Sequence, residues 1–357
     1  MMKILHSADW HLDSPITGRS EEQAQYLRQE LLKIPDKIAA LCKQEGCDLL
    51  LLSGDIFDGA HTQESLHAVR TALKEVGIPV FISPGNHDFC APTSPWLTEV
   101  WPENVHIFTH TAIESVSLPK LGCKIYGAGY SAMDCPSLLK GFRIEGDAHW
   151  HIGLLHADPL QANSPYCPVT NLQVKESGLD YLALGHIHKG GSFRAGDTLC
   201  AWPGSPMGRA FDEPDMKGAL LVTLDEQVIA RFLPMNTPRF YDLTADAGDD
   251  PIQTAEDLLP PVQTMDFYRI TYTGYSAPID LETIRSKFPQ IPHLELRDRT
   301  LPEVDLWSCI GEDTLEGVFF RTLHEGLDTE SEKLQHNLKL AAKISRQILD
   351  GQEVTLL

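Results

Sequence analysis

Apolar and polar positions divide the first 90 residues into alternating strand-like and helix-like segments. Residues 3–8 have a strand pattern, residues 49–52 are apolar throughout, as is typical of strands buried on both faces, and residues 79–83 form another predicted buried strand. Between them, two segments have the three- to four-residue spacing of amphipathic helices: residues 21–45, interrupted at Pro35, and residues 63–76, ending before Gly77. This order predicts right-handed crossovers and a layered α/β core.

From about residue 105 the pattern becomes mainly that of β-strands. Turn residues separate the strand-like stretches 115–118 and 123–126, which predicts a hairpin. Further strands are predicted at residues 151–155, 181–184, 198–202, 219–223 and 228–232.

The last third has a different organisation. The acidic segment 244–261 contains consecutive prolines and is a candidate domain linker. A small α+β unit follows it, and residues 314–351 have a helical pattern with an apolar face. We predict three parts: residues 1–238, residues 239–305 as a small α+β domain, and residues 306–357 as a helical segment that binds a partner.

Composition sets the broad class. The chain has 357 residues, of which 42% are hydrophobic and 22% charged, as in soluble globular proteins. Its apolar runs are far shorter than the 18 or more residues of a membrane helix, so we expect a cytoplasmic protein without a leader peptide. The eight cysteines include no C-x-x-C pair, which argues against a zinc ribbon and favours reduced, buried thiols.

The net charge of -21 argues against binding nucleic acid through the overall electrostatic field. Acidic residues outnumber basic ones by 28 to 18 in residues 1–235 and by 22 to 11 in residues 236–357. The excess is therefore densest in the last third.

Polar motifs follow five predicted strands. They are Asp9-Trp-His11, Gly54-Asp-Ile-Phe-Asp58, Gly85-Asn-His-Asp88, His156 and Gly185-His-Ile-His188. Ligand sites of α/β proteins lie at the C-terminal ends of strands. Because residues two apart in a strand point the same way, Asp9 and His11 should face one point, as should His186 and His188. Asp, Asn and His together suit Mn, Fe or Zn, and this many ligands suggest a pair of ions.

Each motif alone has an ordinary alternative, such as a turn or a pair of surface histidines. Five of them in this order, each at a strand end, favour a common site. His151 is the nearest rival to His156, but it begins its strand and should lie at the opposite edge.

These motifs resemble those of the calcineurin-like metallophosphoesterase superfamily over about residues 1–235. The resemblance implies a four-layer α/β/β/α core of two mixed sheets flanked by helices, and two divalent ions, Mn being favoured over Fe or Zn. It implies one ion held by Asp9, His11, Asp55 and His188. It implies a second ion held by Asp55, Asn86, His156 and His186, with Asp55 as the bridge. It also implies that His87 binds no metal, contacts the phosphate and protonates the leaving oxygen, so that His87, Asp55 and Asn86 are the catalytic residues.

Three segments narrow the resemblance: 7–15, 54–58 and 202–205 are similar to SbcD-type DNA repair exonucleases, including their YhaO-like branch. This implies an exonuclease or endonuclease that hydrolyses DNA phosphodiester bonds. It also implies a DNA-facing α+β cap and C-terminal helices that bind an SbcC-type, SMC-like coiled-coil ATPase. A homodimer is left open.

Charged residues near the motifs are candidates for supporting roles. Asp58 is a candidate to support the ligands from behind. Asp88 and Asp158 are candidates to orient a histidine through its other nitrogen, or to cap turns. Lys189 and Arg209 are candidate phosphate contacts, or ordinary surface charges.

Two rival functions remain at this point. One is a small-molecule phosphodiesterase or phosphatase on the same core, and the other is mainly a scaffold for the ATPase partner. If DNA is the substrate, the acidity implies that binding depends on the metals, a local patch and a basic partner.

Overall fold

The computed structural model describes residues 1–248, 250–274, 276, 278–301, 305–327 and 331–351. From the sequence we also predict a short extended end after Gly351, and those residues lie outside the described ones. The chain forms two compact units, Met1–Asp242 with Gln263–Tyr268, and Leu243–Val262 with Arg269–Leu357. The three-part division at residues 238 and 305 stays a prediction.

The first unit contains most of the secondary structure. In chain order its elements are β1 (Met2–Ser7), α1 (Glu21–Leu32), α2 (Ile34–Glu45), β2 (Leu49–Leu52), α3 (Gln63–Val76), β3 (Val80–Ile82), α4 (Pro95–Thr98), β4 (Val105–Ile107), β5 (Glu114–Leu118), β6 (Cys123–Gly127), β7 (Trp150–His156), α5 (Asn171–Ser177), β8 (Tyr181–Gly185), β9 (Lys189–Ala195), β10 (Thr198–Gly204), β11 (Gly218–Leu224) and β12 (Val228–Pro234).

These strands form two six-stranded mixed sheets. The first has the order β12-β11-β1-β2-β3-β4, and the second β5-β6-β7-β8-β10-β9. Strands β1 to β4 are parallel, as are β6, β7, β8 and β10, whereas β11, β12, β5 and β9 pair antiparallel with their neighbours. The predicted fold class, with two mixed sheets and flanking helices, is confirmed.

The leucines of β2 show how the layers pack. Leu49 and Leu51 pack in the core between the two sheets, together with Ile152 and Tyr181 of the second sheet. Leu50 and Leu52 point the other way and pack with the residues of α1, α2 and α3. Because neighbouring side chains in a strand alternate between faces, a continuous apolar run is what a strand covered on both faces requires.

Local signals set the helix ends. Thr62 accepts a hydrogen bond from the Ser65 backbone at the start of α3, and left-handed Gly77 ends the helix, so its predicted bounds are confirmed. The predicted interruption at Pro35 occurs at Lys33 instead. Pro35 lies in the first turn of α2, where a helix does not need the missing backbone N–H.

The remaining elements are β13 (Phe240–Asp246), α6 (Pro251–Leu258), β14 (Phe267–Thr273), α7 (Leu281–Ser286), β15 (His293–Asp298), α8 (Leu315–Leu327) and α9 (Glu332–Leu349). Strands β13, β14 and β15 form a third sheet in that order. The candidate linker 244–261 is largely structured, because Asp250 caps α6 and Pro251 begins it. In this segment, the acidic residue Asp250 and the proline Pro251 therefore mark the start of a helix.

Two further observations concern the whole described chain. All eight cysteines are free and buried, as predicted. No helix among the described residues is both long and apolar enough to cross a membrane.

Candidate metal centre

The five predicted motifs meet at one edge of the first unit. Asp9 and His11 follow β1, Asp55 follows β2, and Asn86 and His87 follow β3 of the first sheet. In the second sheet, His156 ends β7, and His186 and His188 follow β8. The site is therefore built from the C-terminal ends of strands in both sheets.

The loops that carry these residues have an unusual backbone. Asp9, His11, Asp55 and His186 all have positive φ, at 55°, 48°, 52° and 94°. Side chains other than glycine rarely adopt this region, and such strain concentrates at functional sites. Backbone hydrogen bonds from Asp9 N to Gly54 O and from His11 N to Asp55 O, both 3.0 Å, hold two of these loops together.

The predicted reason for convergence was wrong. β1 and β8 end at Ser7 and Gly185, so strand alternation does not orient the residues that follow. The tight loops bring Asp9 and His11 to one point, as expected, but they separate His186 from His188. His188 faces His11, whereas His186 faces Asn86.

One group of potential ligands comprises Asp9, His11 and His188. Their ligand atoms all lie within 4.8 Å of one another. The Nε2 atoms of His11 and His188 are 3.0 Å apart. Asp9 and His11 are buried, so this group brings imidazole nitrogens and a carboxylate together where water is scarce.

A second group comprises Asp9, Asp55 and His156, whose ligand atoms also lie within 4.8 Å of one another. Asn86 Oδ1 extends it, lying 2.8 Å from His156 Nε2 and 3.3 Å from His186 Nδ1. Asp55 Oδ2 is 3.4 Å from His156 Nε2 and 3.7 Å from His11 Nε2. Asp55 thus lies between the two groups, and Asp9 belongs to both.

Glycines make this close packing feasible. A Cβ atom at Gly85 would lie 2.3 Å from Asp55 Oδ1. A Cβ atom at Gly54, which has φ of +90°, would lie 2.6 Å from His156 Nδ1 and 2.7 Å from Ser83 O. The two motifs therefore need glycine before their polar residues.

The donor set fits divalent transition metals. His156 Nδ1 is 2.8 Å from the carbonyl oxygen of Ser53, which can only accept, so Nδ1 is the donor and Nε2 is the nitrogen that a metal ion could use. Burial disfavours the charged carboxylate of Asp55, yet the neighbouring His156 imidazole outweighs burial and lowers the pKa of Asp55. Burial likewise opposes the charge on His156, but Asp55 prevails and raises its pKa to about 9. The cluster thus attracts positive charge, which a metal ion would supply in place of protons.

His87 lies beside these groups and is more accessible. Its Nδ1 is 2.5 Å from Asp58 Oδ1, and its backbone N–H donates to Asp55 Oδ1 at 2.9 Å. The hydrogen bond to Asp58 is the main cause that raises the pKa of His87. Asp58 Oδ1 also lies 3.4 Å from His11 Nδ1, so Asp58 contacts two histidines, as expected.

Asp88 and Asp158 do not contact histidines in the expected way. Asp88 accepts backbone hydrogen bonds from Gly85 at 2.7 Å and Ile56 at 2.8 Å, and so holds the loops around Asp55. Burial raises the pKa of Asp88 to about 7. Asp158 accepts from the backbone of residues 160 and 161, the alternative of a turn-capping carboxylate.

The two candidate phosphate contacts differ in accessibility. Lys189 is exposed, and its Nζ lies 3.5 Å from Asp215 Oδ1. The Arg209 guanidinium is largely buried and donates to Glu213 Oε1 at 3.1 Å and to Ser14 Oγ at 3.3 Å. Arg209 is therefore engaged by the protein itself.

Sequence reasoning missed two residues of the site. Glu213 Oε1 is 2.8 Å from His188 Nδ1, and the Tyr166 ring lies 4.8 Å from the His186 ring. Both come from loops with no motif of their own, so only the folded chain places them.

A mixed two-sheet core with clustered Asp, Asn and His at the strand ends defines a class of metal-dependent phosphoesterases. The calcineurin-like phosphoesterase family matches residues 2–190, more than half of the chain. The chain therefore belongs to this family, and its site contains candidate metal-binding groups.

Two individual relatives share sequence with this chain. The chain is 35% identical over 237 residues to an uncharacterized metallophosphoesterase, YhaO, of Bacillus subtilis, covering 62% of this chain and 57% of the relative. It is 23% identical over 263 residues to the SbcD component of the nuclease SbcCD of the same organism, covering 59% and 63%. The chain thus matches about three fifths of the length of each relative.

Among solved structures, a dimetal phosphatase from Danio rerio has a TM-score of 0.43 at 12% identity, with 65% of this chain and 96% of that chain covered. That likeness is too weak to bear on function.

Proposed function

We propose that the protein is a two-metal phosphodiesterase that hydrolyses DNA phosphodiester bonds. The observation that carries the proposal is the position of Asp55, whose Oδ2 lies within 3.7 Å of imidazole nitrogens from both ligand groups. The residues Asp9, His11, Asp55 and His188 would hold one ion, and Asp55, Asn86, His156 and His186 the other. Manganese is the favoured ion, with iron or zinc as alternatives.

The ions, when bound, would supply an activated water and offset the negative charge of the phosphate. The remaining roles belong to side chains of the protein. Asp55 and Asp9 balance the cations. The amide oxygen of Asn86, which lies 2.8 Å from His156 Nε2 and 3.3 Å from His186 Nδ1, would share the second ion with these two nitrogens. His87 is held through Nδ1 by Asp58, and about half of its side chain is exposed. This leaves its other nitrogen to protonate the leaving oxygen as a general acid.

DNA as the substrate is supported by similarity to a component of a nuclease. The net charge of -21 opposes it, and for that reason a small phosphodiester is the second candidate substrate. A third candidate is a mainly scaffolding role beside an ATPase.

A partner is supported by the C-terminal helices. Leu315 and Phe319 of α8 and Ile348 and Leu349 of α9 are exposed and line an apolar cavity of about 580 Å³. Exposed apolar side chains gathered on two neighbouring helices support an interaction site here. We propose that a coiled-coil ATPase of the SbcC type binds there, with a second copy of the chain as the competing occupant.

The test compares Mn²⁺-dependent hydrolysis of linear DNA with that of a bis-aryl phosphodiester. We expect cleavage of both by the wild type, and a loss of about 100-fold or more in His87→Ala from removal of general acid catalysis. His110→Ala is a matched control, since His110 is an exposed histidine that also pairs with a carboxylate, that of Glu114. Full DNA cleavage by His87→Ala would contradict the mechanism, and cleavage of the small ester alone would favour the second candidate.

A further inference from the structure

One loop, residues 205–217 between β10 and β11, holds His188 at two places. Ser205 N donates to the His188 carbonyl oxygen at 3.2 Å, and Lys217 Nζ donates to the same oxygen at 3.1 Å. At the ring, Glu213 Oε1 lies 2.8 Å from Nδ1. The loop therefore fixes both the backbone and the imidazole of His188.

The contact with Glu213 determines which ring nitrogen carries the proton. His188 Nδ1 also lies 3.2 Å from Arg209 Nη2, which can only donate. The contact with the Glu213 carboxylate, which can only accept, is shorter, so we assign Nδ1 of His188 as the donor to Glu213 and leave the lone pair on Nε2. Nε2 is the atom that lies 3.0 Å from His11 Nε2, on the side of the ligand group. Glu213 thus presents the correct nitrogen of His188 to that group.

Arg209 keeps Glu213 in place. Its guanidinium donates to Glu213 Oε1 and its backbone N–H donates to Oε2, both at 3.1 Å. Arg209 Nη1 also lies 3.9 Å from Oδ2 of Asp58, the carboxylate that holds His87. One buried cation therefore lies between the two carboxylates that orient His188 and His87.

The loop has its own anchor in the core. The Phe211 ring lies 4.6 Å from the Arg19 guanidinium and 5.3 Å from the Phe240 ring. Because Phe211 lies between Arg209 and Glu213 in sequence, this packing restricts the positions that both side chains can adopt.

We propose that Glu213 is a positioning residue that locks His188 in the Nδ1–H tautomer and so sets its affinity for a divalent ion. Arg209 supports it by neutralising and orienting its carboxylate. The inference depends on the proposed two-metal function. Partners of this kind behind metal-bound histidines typically change metal affinity by about 10- to 100-fold.

The experiment uses three variants of the full chain. Glu213→Ala and Glu213→Met remove the acceptor, and the second keeps most of the side-chain volume. Glu213→Gln retains an oxygen that can accept from Nδ1. Glu114→Ala is the matched control, because Glu114 Oε1 accepts from His110 Nδ1 on an exposed surface.

Two quantities are measured: Mn²⁺ binding, from the free-ion signal in electron paramagnetic resonance, and the His188 tautomer in the metal-free protein, from ¹⁵N NMR. We expect Glu213→Ala and Glu213→Met to bind one of two ions about 10- to 100-fold more weakly and to show mixed tautomers. Glu213→Gln should recover most of both, and Glu114→Ala should match the wild type.

The proposal fails if the folded Ala or Met variant binds both ions as the wild type does, or if His188 keeps its Nδ1 proton in it. Should Glu213→Ala not fold, Glu213→Met carries the same expectation. If the wild type itself bound no Mn²⁺, the two-metal function would fail, and the tautomer measurement would still decide the role of Glu213.

Discussion

At the residue scale, the groups behind the metal ligands determine the geometry as much as the ligands do. The sequence allowed Asp88 two roles, orienting a histidine or capping a turn, and its buried carboxylate accepts from backbone N–H groups of the loops around Asp55. The sequence could not distinguish these roles, because both place an aspartate near the ligands. Which donors it meets depends on where the loops after β2 and β3 lie.

Asp88→Asn should destabilise the protein, because the amide NH₂ group cannot accept from the backbone donors that both carboxylate oxygens now satisfy. Leaving a buried donor unpaired costs about 1–3 kcal/mol. We expect a decrease of this size in the free energy of unfolding, measured with urea. Asp280→Asn is the control, since Asp280 caps α7 at the surface. Equal effects of the two substitutions would contradict the assigned role of Asp88.

The glycine before Asp55 offers a second prediction. Gly54→Ala should displace His156 or the Ser83 backbone, which a Cβ atom would approach to 2.6 and 2.7 Å. We expect loss of Mn²⁺ binding together with phosphodiesterase activity, measured by ion titration and ester hydrolysis.

The variant Gly59→Ala tests the effect of backbone strain without a steric clash of the new Cβ atom. Gly59 also has a positive φ, +76°, but a Cβ atom there meets nothing within 4 Å. A Cβ atom in this left-handed backbone conformation should cost about 1–2 kcal/mol of stability and leave metal binding intact. Similar loss of Mn²⁺ in both variants would show that strain alone is responsible.

At the scale of elements, the sequence predicts best where a local signal and the buried pattern agree. The bounds of β2 and α3 were predicted to the residue, since β2 is apolar throughout and Thr62 and Gly77 mark the ends of α3. β9, an edge strand with two glycines and exposed side chains, was missed. Such a strand is held by backbone pairing with β10, and pairing leaves no apolar pattern. The candidate ligands could be predicted because each follows an apolar strand. Glu213 could not, because it lies in a loop that has no such pattern.

The two sheets are also joined by a polar contact within their shared core. His6 of β1 is buried, with Nδ1 2.7 Å from the Tyr181 hydroxyl of β8 and Nε2 2.6 Å from Ser53 Oγ. Burial lowers the pKa of His6 from 6.5 to about 3. The folded protein therefore keeps His6 neutral at pH values where the unfolded chain protonates it.

This predicts a loss of stability in mild acid. The contribution of neutral His6 is complete above pH 6.5 and decreases as the pH falls toward 3. By pH 5 the loss amounts to about 2 kcal/mol, at 1.36 kcal/mol per pH unit. Urea unfolding of metal-free protein at about pH 7.5 and pH 5 should show that the wild type loses about 2 kcal/mol more than His6→Gln. Other histidines contribute equally to both proteins, so equal losses would refute the assignment.

At the scale of the whole molecule, the net negative charge opposes binding of the proposed substrate, which is also negatively charged. The proposed phosphodiester-binding centre lies in a chain of net charge -21. Neither composition nor motifs alone could resolve this conflict, because a local site and a global field act over different distances. DNA cleavage then requires the bound cations, and we propose that a partner provides the basic surface.

The isolated protein should accordingly bind DNA weakly. Without metal at about 0.15 M salt, where charges are screened beyond roughly 8 Å, we expect fluorescence anisotropy to detect no tight complex. A shallow salt dependence would agree, because few phosphates would be neutralised. Tight binding under these conditions, with a steep dependence on salt, would show an unrecognised basic surface.

The division of the ligands between two sheets has a consequence for the newly made chain. His11 and His188, whose Nε2 atoms face each other, are 177 residues apart in sequence. During synthesis, the first sheet's ligands appear long before their counterparts, and no half-made chain holds the full set. We expect the site to be complete only after both sheets have docked, so that a chain that has not finished folding lacks the hydrolytic activity proposed above.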